Sequence, residues 1–119
     1  MALIVIAEDE FLIAEVLVMM LEDAGHDVAP AAHGLAALDL VREKRPDLVI
    51  TDFMMPLMTG LELAKAIRSD DALAEIPVIL VSGAQGNIGR SHPDMFNAVL
   101  DKPYQEKRLL ETVTRLLQQ

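Results

Sequence analysis

Residues 48–60, LVITDFMMPLMTG, join a short apolar run to an aspartate and a loop that contains proline and glycine. A run as short and as apolar as Leu48–Thr51 is typical of a strand that is buried on both faces. Strands are buried in this way when helices cover both sides of a parallel sheet. The segment therefore predicts an α/β protein in which Asp52 follows the carboxyl end of a strand.

Comparable apolar runs occur elsewhere in the chain, and helical patterns separate them. The other predicted strands are Leu3–Ala7, Ile76–Val81 and Phe96–Leu100, with a fainter one at His26–Ala31. Apolar residues recur at helical spacing in residues 10–24, 35–45, 60–69 and 105–117. Strands that alternate with helices imply right-handed crossovers and a parallel sheet covered on both faces. We therefore expect one five-stranded α/β domain.

Two of the intervening segments carry particular expectations. In residues 10–24 the side chains expected to face the core are Leu12, Ile13, Val16, Leu17, Met20 and Leu21. Val18 and Met19 are expected outside that stripe, as scattered surface residues or as a docking surface for a helical partner or a second copy. Residues 83–95 contain three glycines and Pro93, so any helix there should be short or irregular.

The composition excludes several classes of protein. The chain has 19 acidic and 10 basic side chains, a formal charge of −9, so nucleic-acid binding and anionic membrane surfaces are disfavoured. Cysteine is absent, which excludes disulfides, thiolate metal sites and a cysteine nucleophile. No basic region precedes the first apolar run, so we expect no signal peptide and a cytoplasmic protein.

Polar residues follow the predicted strands at the edge where ligands bind in open α/β sheets. They are Glu8, Asp9 and Glu10, then Asp52, then Ser82 and Gly83, and finally Asp101, Lys102 and Pro103. Two carboxylates about 5 Å apart repel by roughly 3 kcal/mol at an effective dielectric of about 20, so such a cluster takes up protons or recruits a cation. Oxygen donors favour a hard divalent ion, usually Mg²⁺. With a lysine and a hydroxyl beside it, the cluster predicts phosphoryl transfer to a carboxylate.

These residues resemble the receiver domain of two-component response regulators. The likeness is carried by Glu8-Asp9, by DFMMPLMTG at 52–60, by VSGA at 81–84 and by DKPY at 101–104. It implies a flavodoxin-like, doubly wound sheet of order 2-1-3-4-5 in a bacterial, chemotaxis-regulator-like protein. Because no output domain follows the last predicted helix, we expect a single receiver domain over residues 1–119 that signals through protein contacts.

The resemblance also implies a role for each residue that would act on the phosphoryl group. Asp52 would be the phosphoacceptor, and Ser82 and Lys102 would contact the phosphoryl group. The bond between Lys102 and Pro103 would be cis. Val99 stands where many relatives carry a switching aromatic residue, so the route from the site to an output surface is left open.

A second set of implications concerns the cation and the partners. Asp9 and Asp52 would bind Mg²⁺ or another divalent cation directly, Glu8 would act largely through water, and the Met54 carbonyl would be a backbone ligand. The phosphoryl donor would be a sensor histidine kinase or a histidine phosphotransfer protein. An unknown downstream protein would receive the signal, and a weak homodimer is an option. The chain would not be an enzyme beyond catalysing its own phosphorylation and dephosphorylation.

Three alternatives compete with this interpretation. Gly83, Gly86 and Gly89 follow a strand at the spacing of a dinucleotide-binding turn, but Pro93 interrupts the next helix and too little chain remains for that fold. A haloacid-dehalogenase-type phosphatase would need an acid where Met54 stands. A receiver-shaped interaction module that is never phosphorylated would not require the retained acids, Ser82 and Lys102.

Overall fold

The protein is described over residues 2–118 by a computed structural model, in which strands and helices alternate. The strands are β1 (Leu3–Ala7), β2 (Asp27–Ala31), β3 (Leu48–Asp52), β4 (Val78–Ser82) and β5 (Ala98–Asp101). The helices are α1 (Phe11–Asp23), α2 (Gly34–Lys44), α3 (Gly60–Arg68), α4 (Gly86–Arg90) and α5 (Glu106–Leu117). All pairings are parallel, and the order across the sheet is β2-β1-β3-β4-β5. The predicted doubly wound α/β fold and its strand order are confirmed.

The two sides of the sheet are covered by different helices. Ile4 and Ile6 of β1 belong to the apolar cluster that includes side chains of α1 and α5. Val5 and Ala7, which alternate with them, belong to the cluster that includes side chains of α2 and α3. All four side chains are at most 1% exposed. The strands are therefore apolar along their length, and the polar chemistry is placed at their ends.

The buried face of α1 differs from the sequence prediction. Leu17 and Leu21 are buried as expected, but Leu12 is 76% exposed and Val16 50% exposed, so that part of the prediction was wrong. Val18, expected outside the stripe, is half-buried against the core. Most of the α1 surface is apolar, so periodicity could not show which of two neighbouring rows faces the sheet. No helix within residues 2–118, α1 included, has the length and apolar character needed to cross a membrane.

The last two strands are shorter than the apolar runs suggested, whereas the helix between them is as short as predicted. β4 begins at Val78 rather than Ile76, and β5 begins at Ala98 rather than Phe96. Both strands extend one residue further than predicted, to Ser82 and Asp101. The predicted short helix is confirmed, because α4 spans five residues.

Candidate functional site

The carboxyl ends of β1, β3, β4 and β5 bring together the polar residues that the sequence singled out. Asp52, Ser82 and Asp101 are the last residues of their strands, and Glu8 directly follows β1. The parallel register keeps these ends level, since Asp52 lies opposite Val81 and Ser82 lies opposite Asp101. The site therefore occupies one edge of the sheet, where open α/β folds bind their ligands.

Three carboxylates meet at this edge. Glu8, Asp9 and Asp52 each contribute one oxygen to a group whose members lie within 4.8 Å of one another. Glu8 is 4% exposed, whereas Asp9 faces solvent. Burial raises the pKa of Glu8, a hydrogen bond from the Glu10 backbone N–H lowers it, and the charge of Asp52 raises it. The net effect is a raised pKa, as expected where buried like charges share a site.

Lys102 supplies the positive charge beside two of these carboxylates. Its Nζ lies 3.3 Å from Asp52 Oδ2 and 3.5 Å from Glu8 Oε1. Burial alone would lower the pKa of Lys102, but the charges of Asp52 and Glu8 outweigh burial and raise it. A backbone hydrogen bond positions this residue, because the Lys102 N–H donates to the Ser82 carbonyl at 2.8 Å. The Lys102–Pro103 peptide bond is cis.

The donor set of the acidic cluster suits a hard divalent cation. Glu8, Asp9 and Asp52 offer carboxylate oxygens, which are the donors that Mg²⁺ and Ca²⁺ prefer. Three carboxylates and the Lys102 ammonium together leave two negative charges, which a divalent cation would balance. These residues could therefore hold such an ion. Met54 follows in the next loop with its side chain 59% exposed, and its carbonyl stays a predicted ligand.

Hydrogen bonds close the loop after β3 back onto the strand and so hold Asp52 in place. Asp52 Oδ1 accepts the Phe53 N–H at 2.9 Å, and the Phe53 carbonyl accepts the Gly60 N–H at 2.8 Å. A Cβ at Gly60 would overlap the Asp52 carbonyl oxygen, so this close approach requires glycine. With Oδ1 engaged by the backbone, Oδ2 is the oxygen that faces Lys102.

Ser82 is fully buried at the end of β4, and its hydroxyl is engaged by Gln85. The Gln85 N–H donates to Ser82 Oγ at 2.8 Å, and Ser82 Oγ donates to Gln85 Oε1 at 3.1 Å. Gln85 was not predicted as a site residue. The signal that could have found it is the spacing, because a serine commonly accepts the N–H three residues later where a helix begins.

Tyr104 is a second residue near the site that sequence reasoning did not assign to it. Its side chain is half-buried and packs against the core beneath α1 and α5, just before the last helix. Burial raises the pKa of Tyr104, and the charge of Glu8 raises it further. The negative charge of Glu8 therefore acts on the Tyr104 phenol.

Two of the three glycines after β4 serve internal packing, whereas Gly83 faces open space. A Cβ at Gly86 would overlap the carboxylate of Asp101, and a Cβ at Gly89 would overlap a methyl group of Leu80. The protein's own side chains therefore fill the space that these glycines open. This arrangement argues against the dinucleotide-binding alternative, in which the same glycines would admit a pyrophosphate.

Comparisons with a family model, with relatives in sequence and with solved structures all find receiver domains or response regulators. The sequence model of the response regulator receiver domain matches residues 4–114. The chain is 35% identical to the polar-differentiation response regulator DivK of Brucella anthropi over 116 residues, which are 96% of this chain and 94% of that protein. The signal receiver domain of a signal transduction histidine kinase from Syntrophus aciditrophicus superposes with a TM-score of 0.91 at 32% identity, covering 99% of this chain and 91% of that one. The chemotaxis response regulator CheY4 of Vibrio cholerae superposes with a TM-score of 0.89 at 30% identity, covering 98% of each chain.

Proposed function

Because this chain belongs to the response regulator receiver domain family of bacterial two-component systems, we propose that it accepts a phosphoryl group on Asp52 and signals through protein contacts. The family makes it a signalling protein rather than an enzyme that turns over a separate substrate. The proposal names the acceptor residue, the cation, the phosphoryl donor and one receiver domain that extends over residues 1–119.

One observation carries the proposal, namely the surroundings of the Asp52 carboxylate. Its Oδ2 lies 3.3 Å from the Lys102 ammonium. One carboxylate oxygen each of Glu8, Asp9 and Asp52 lie within 4.8 Å of one another. A carboxylate nucleophile needs positive charge at the oxygens of the group that it attacks. Lys102 supplies one such charge, and the acidic cluster provides the means to bind another.

The residues that would hold the cation are Glu8, Asp9 and Asp52, with the Met54 carbonyl as a further ligand and with Glu8 acting largely through water. A bound Mg²⁺ would neutralise negative charge on the phosphoryl oxygens and on the carboxylates. The support for this assignment is the chemistry of the donors and the two negative charges that Lys102 leaves unbalanced.

In the proposed reaction, one carboxylate oxygen of Asp52 attacks the phosphorus of a phosphohistidine. A new O–P bond forms in line with the breaking N–P bond, whose electron pair goes to the imidazole nitrogen. Lys102 and Ser82 would donate hydrogen bonds to the phosphoryl oxygens. Attack of water on phosphorus later breaks the O–P bond to Asp52, releases inorganic phosphate and restores the carboxylate.

The proposed donor is a sensor histidine kinase or a histidine phosphotransfer protein, and the proposed recipient of the signal is a downstream protein. The family and the names of the relatives support this assignment, since both DivK and CheY4 are response regulators. A receiver-shaped module that works without phosphorylation is the competing function, and the following experiment separates the two.

The test uses small-molecule donors and intact-mass measurement. Acetyl phosphate and phosphoramidate, which carry O–P and N–P bonds respectively, are each incubated with the protein and Mg²⁺. We expect the mass of one phosphoryl group to be added, because the donor needs only an accessible carboxylate nucleophile and charge neutralisation. The gain should disappear when the cation is chelated and when Asp52→Asn removes the nucleophile.

The matched control is Asp39→Asn, which removes an exposed carboxylate from α2 and should leave the mass gain intact. A gain that survives in Asp52→Asn would show that another residue is the acceptor. No gain with either donor would favour the interaction module that is never phosphorylated.

A further inference from the structure

The hydroxyl of Ser82 has one hydrogen, and the structure directs that hydrogen to the side chain of Gln85. Ser82 Oγ donates it to Gln85 Oε1 at 3.1 Å and accepts the Gln85 backbone N–H at 2.8 Å. Ser82 is fully buried, so solvent does not reach its hydroxyl directly, whereas Gln85 is half-buried. While both bonds persist, Ser82 has no hydrogen to offer to another acceptor.

We propose that Gln85 is a positioning residue. Its side-chain amide accepts the hydrogen of the Ser82 hydroxyl and competes for that hydrogen with a phosphoryl group on Asp52. The inference rests on the proposed function, because it concerns the hydrogen bond from Ser82 to the phosphoryl oxygens. A phosphoryl oxygen is charged and accepts a stronger hydrogen bond than the neutral Gln85 amide, so phosphorylation turns the hydroxyl toward Asp52. The Gln85 amide thus sets how readily the phosphorylated arrangement forms.

The same residue connects Ser82 to α4. The carbonyl of Gln85 accepts the N–H groups of Ile88 at 3.0 Å and Gly89 at 3.2 Å, which are the first hydrogen bonds of the α4 turn. Gly89 in turn packs against Leu80 and Val99 of β4 and β5. When the Ser82 hydroxyl turns toward a phosphoryl group on Asp52, Gln85 loses both hydrogen bonds to that hydroxyl. The start of α4 is then released from the end of β4. This route to α4 needs no aromatic side chain at position 99.

The test measures how tightly the 119-residue chain binds beryllofluoride in the presence of Mg²⁺. The fluorines of beryllofluoride accept hydrogen bonds as phosphoryl oxygens do. Gln85→Met keeps an unbranched side chain of similar length and the backbone N–H but removes the amide acceptor. Because an ordinary hydrogen bond no longer has to be broken, we expect beryllofluoride to bind roughly three- to tenfold more tightly. The affinity for Mg²⁺ alone should not change, which separates the effect from a general disturbance of the site.

Two further variants test whether the acceptor is the cause. In a Ser82→Ala background, Gln85→Met should have no effect, because the hydroxyl for which the amide competes is gone. Gln85→Glu retains an acceptor and should bind beryllofluoride no more tightly than the wild-type protein. Asn87→Leu, which alters an exposed side chain of α4, is the matched control and should also match the wild-type affinity.

The outcomes distinguish this inference from the function on which it rests. If the wild-type protein binds beryllofluoride and Gln85→Met binds it equally tightly, the role of Gln85 is wrong and the acceptor function stands. The role of Gln85 is also wrong if Gln85→Met still tightens beryllofluoride binding in the Ser82→Ala background. It is wrong as well if Gln85→Glu tightens beryllofluoride binding as Gln85→Met does. If the wild-type protein binds no beryllofluoride and takes up no phosphoryl group, the acceptor function fails and the role of Gln85 fails with it.

Discussion

α3 and α4 both follow a strand that ends in a site residue, but their first turns are stabilised in different ways. α3 follows β3 and Asp52, and its N-cap is Thr59, whose hydroxyl accepts the Glu62 N–H at 3.1 Å. The Glu62 carboxylate accepts the Thr59 N–H at 2.9 Å, which completes a capping box. α4 follows β4 and Ser82, and its N-cap residue Gln85 donates its N–H to the Ser82 hydroxyl.

We infer from this difference that phosphorylation of Asp52 would affect the start of α4 more than the start of α3. The hydrogen bonds of the capping box join residues of the first turn of α3 to one another. Leu63 and Ile67 of the same helix are fully buried. The start of α4 depends instead on a hydroxyl that the proposed reaction would redirect. We therefore expect α3 to behave as fixed scaffold and α4 to respond to phosphorylation.

The largest predicted effect contrasts glycines in the two helices. Gly60→Ala would force a Cβ against the Asp52 backbone, which has no rotamer to adjust, and should lower the free energy of unfolding by about 3 kcal/mol. Gly89→Ala would meet methyl groups of Leu80 and Val99 rather than backbone and also gains helix propensity, so it should cost only about 1 kcal/mol. Urea denaturation measures both, and equal losses would contradict the view that α3 is held more rigidly than α4.

A second prediction compares the two hydroxyls, of Thr59 and Ser82, that accept a backbone N–H near the starts of α3 and α4. Thr59→Ala and Ser82→Ala each remove a hydroxyl that accepts a backbone N–H, so each should lower the free energy of unfolding by about 1 kcal/mol. Hydrogen exchange should rise at residues 60–68 in the first variant and at residues 86–90 in the second. Only Ser82→Ala should also weaken beryllofluoride binding. Weakening of similar size in Thr59→Ala would show that α3 is coupled to the site as well.

The smallest predicted effect concerns the ion pair between Arg90 of α4 and Asp101 of β5. Both side chains are about half exposed, at 48% and 57%, so Arg90→Gln should change the free energy of unfolding by only about 0.3 kcal/mol. Its local effect should be easier to see, as faster amide exchange in residues 86–90 that high salt reproduces in the wild-type protein. Unchanged exchange would mean that Ser82 and Gln85 hold α4 without help from this pair.

The sequence predicted the strands of the sheet well because the apolar runs that mark them are nearly uninterrupted. The runs at Leu3–Ala7 and Leu48–Thr51 are almost wholly apolar, which identifies strands buried on both faces whatever their neighbours. The same property made α1 harder to predict, because Leu12 and Val16 look as apolar as Ile13 and Leu17. Which row is buried depends on how α1 is rotated against β1 and β3, and that rotation is a property of the packed structure.

The candidate site shows the same division. Glu8, Asp52, Ser82 and Lys102 could be placed at one edge from the sequence because parallel strands align their carboxyl ends. The hydrogen-bond and ion-pair partners of these residues could not be predicted from the sequence in the same way. That Lys102 lies between Asp52 and Glu8, and that Gln85 takes the hydrogen of Ser82, depends on side-chain directions that spacing along the chain does not specify.

The sequence by itself determined the class of fold, the strand order through its resemblance to receiver domains, and the residues from which an acceptor site would be built. These follow from local hydrophobic pattern and from the residues at strand ends, which act over a few neighbouring positions. Only the tertiary structure decided which face of α1 remains exposed, that the Lys102 ammonium lies between Asp52 and Glu8, and that the Gln85 N–H at the start of α4 donates to Ser82. Those features arise from contacts between residues distant in the chain or from the direction of a single hydroxyl, and neither leaves a periodic trace in the sequence.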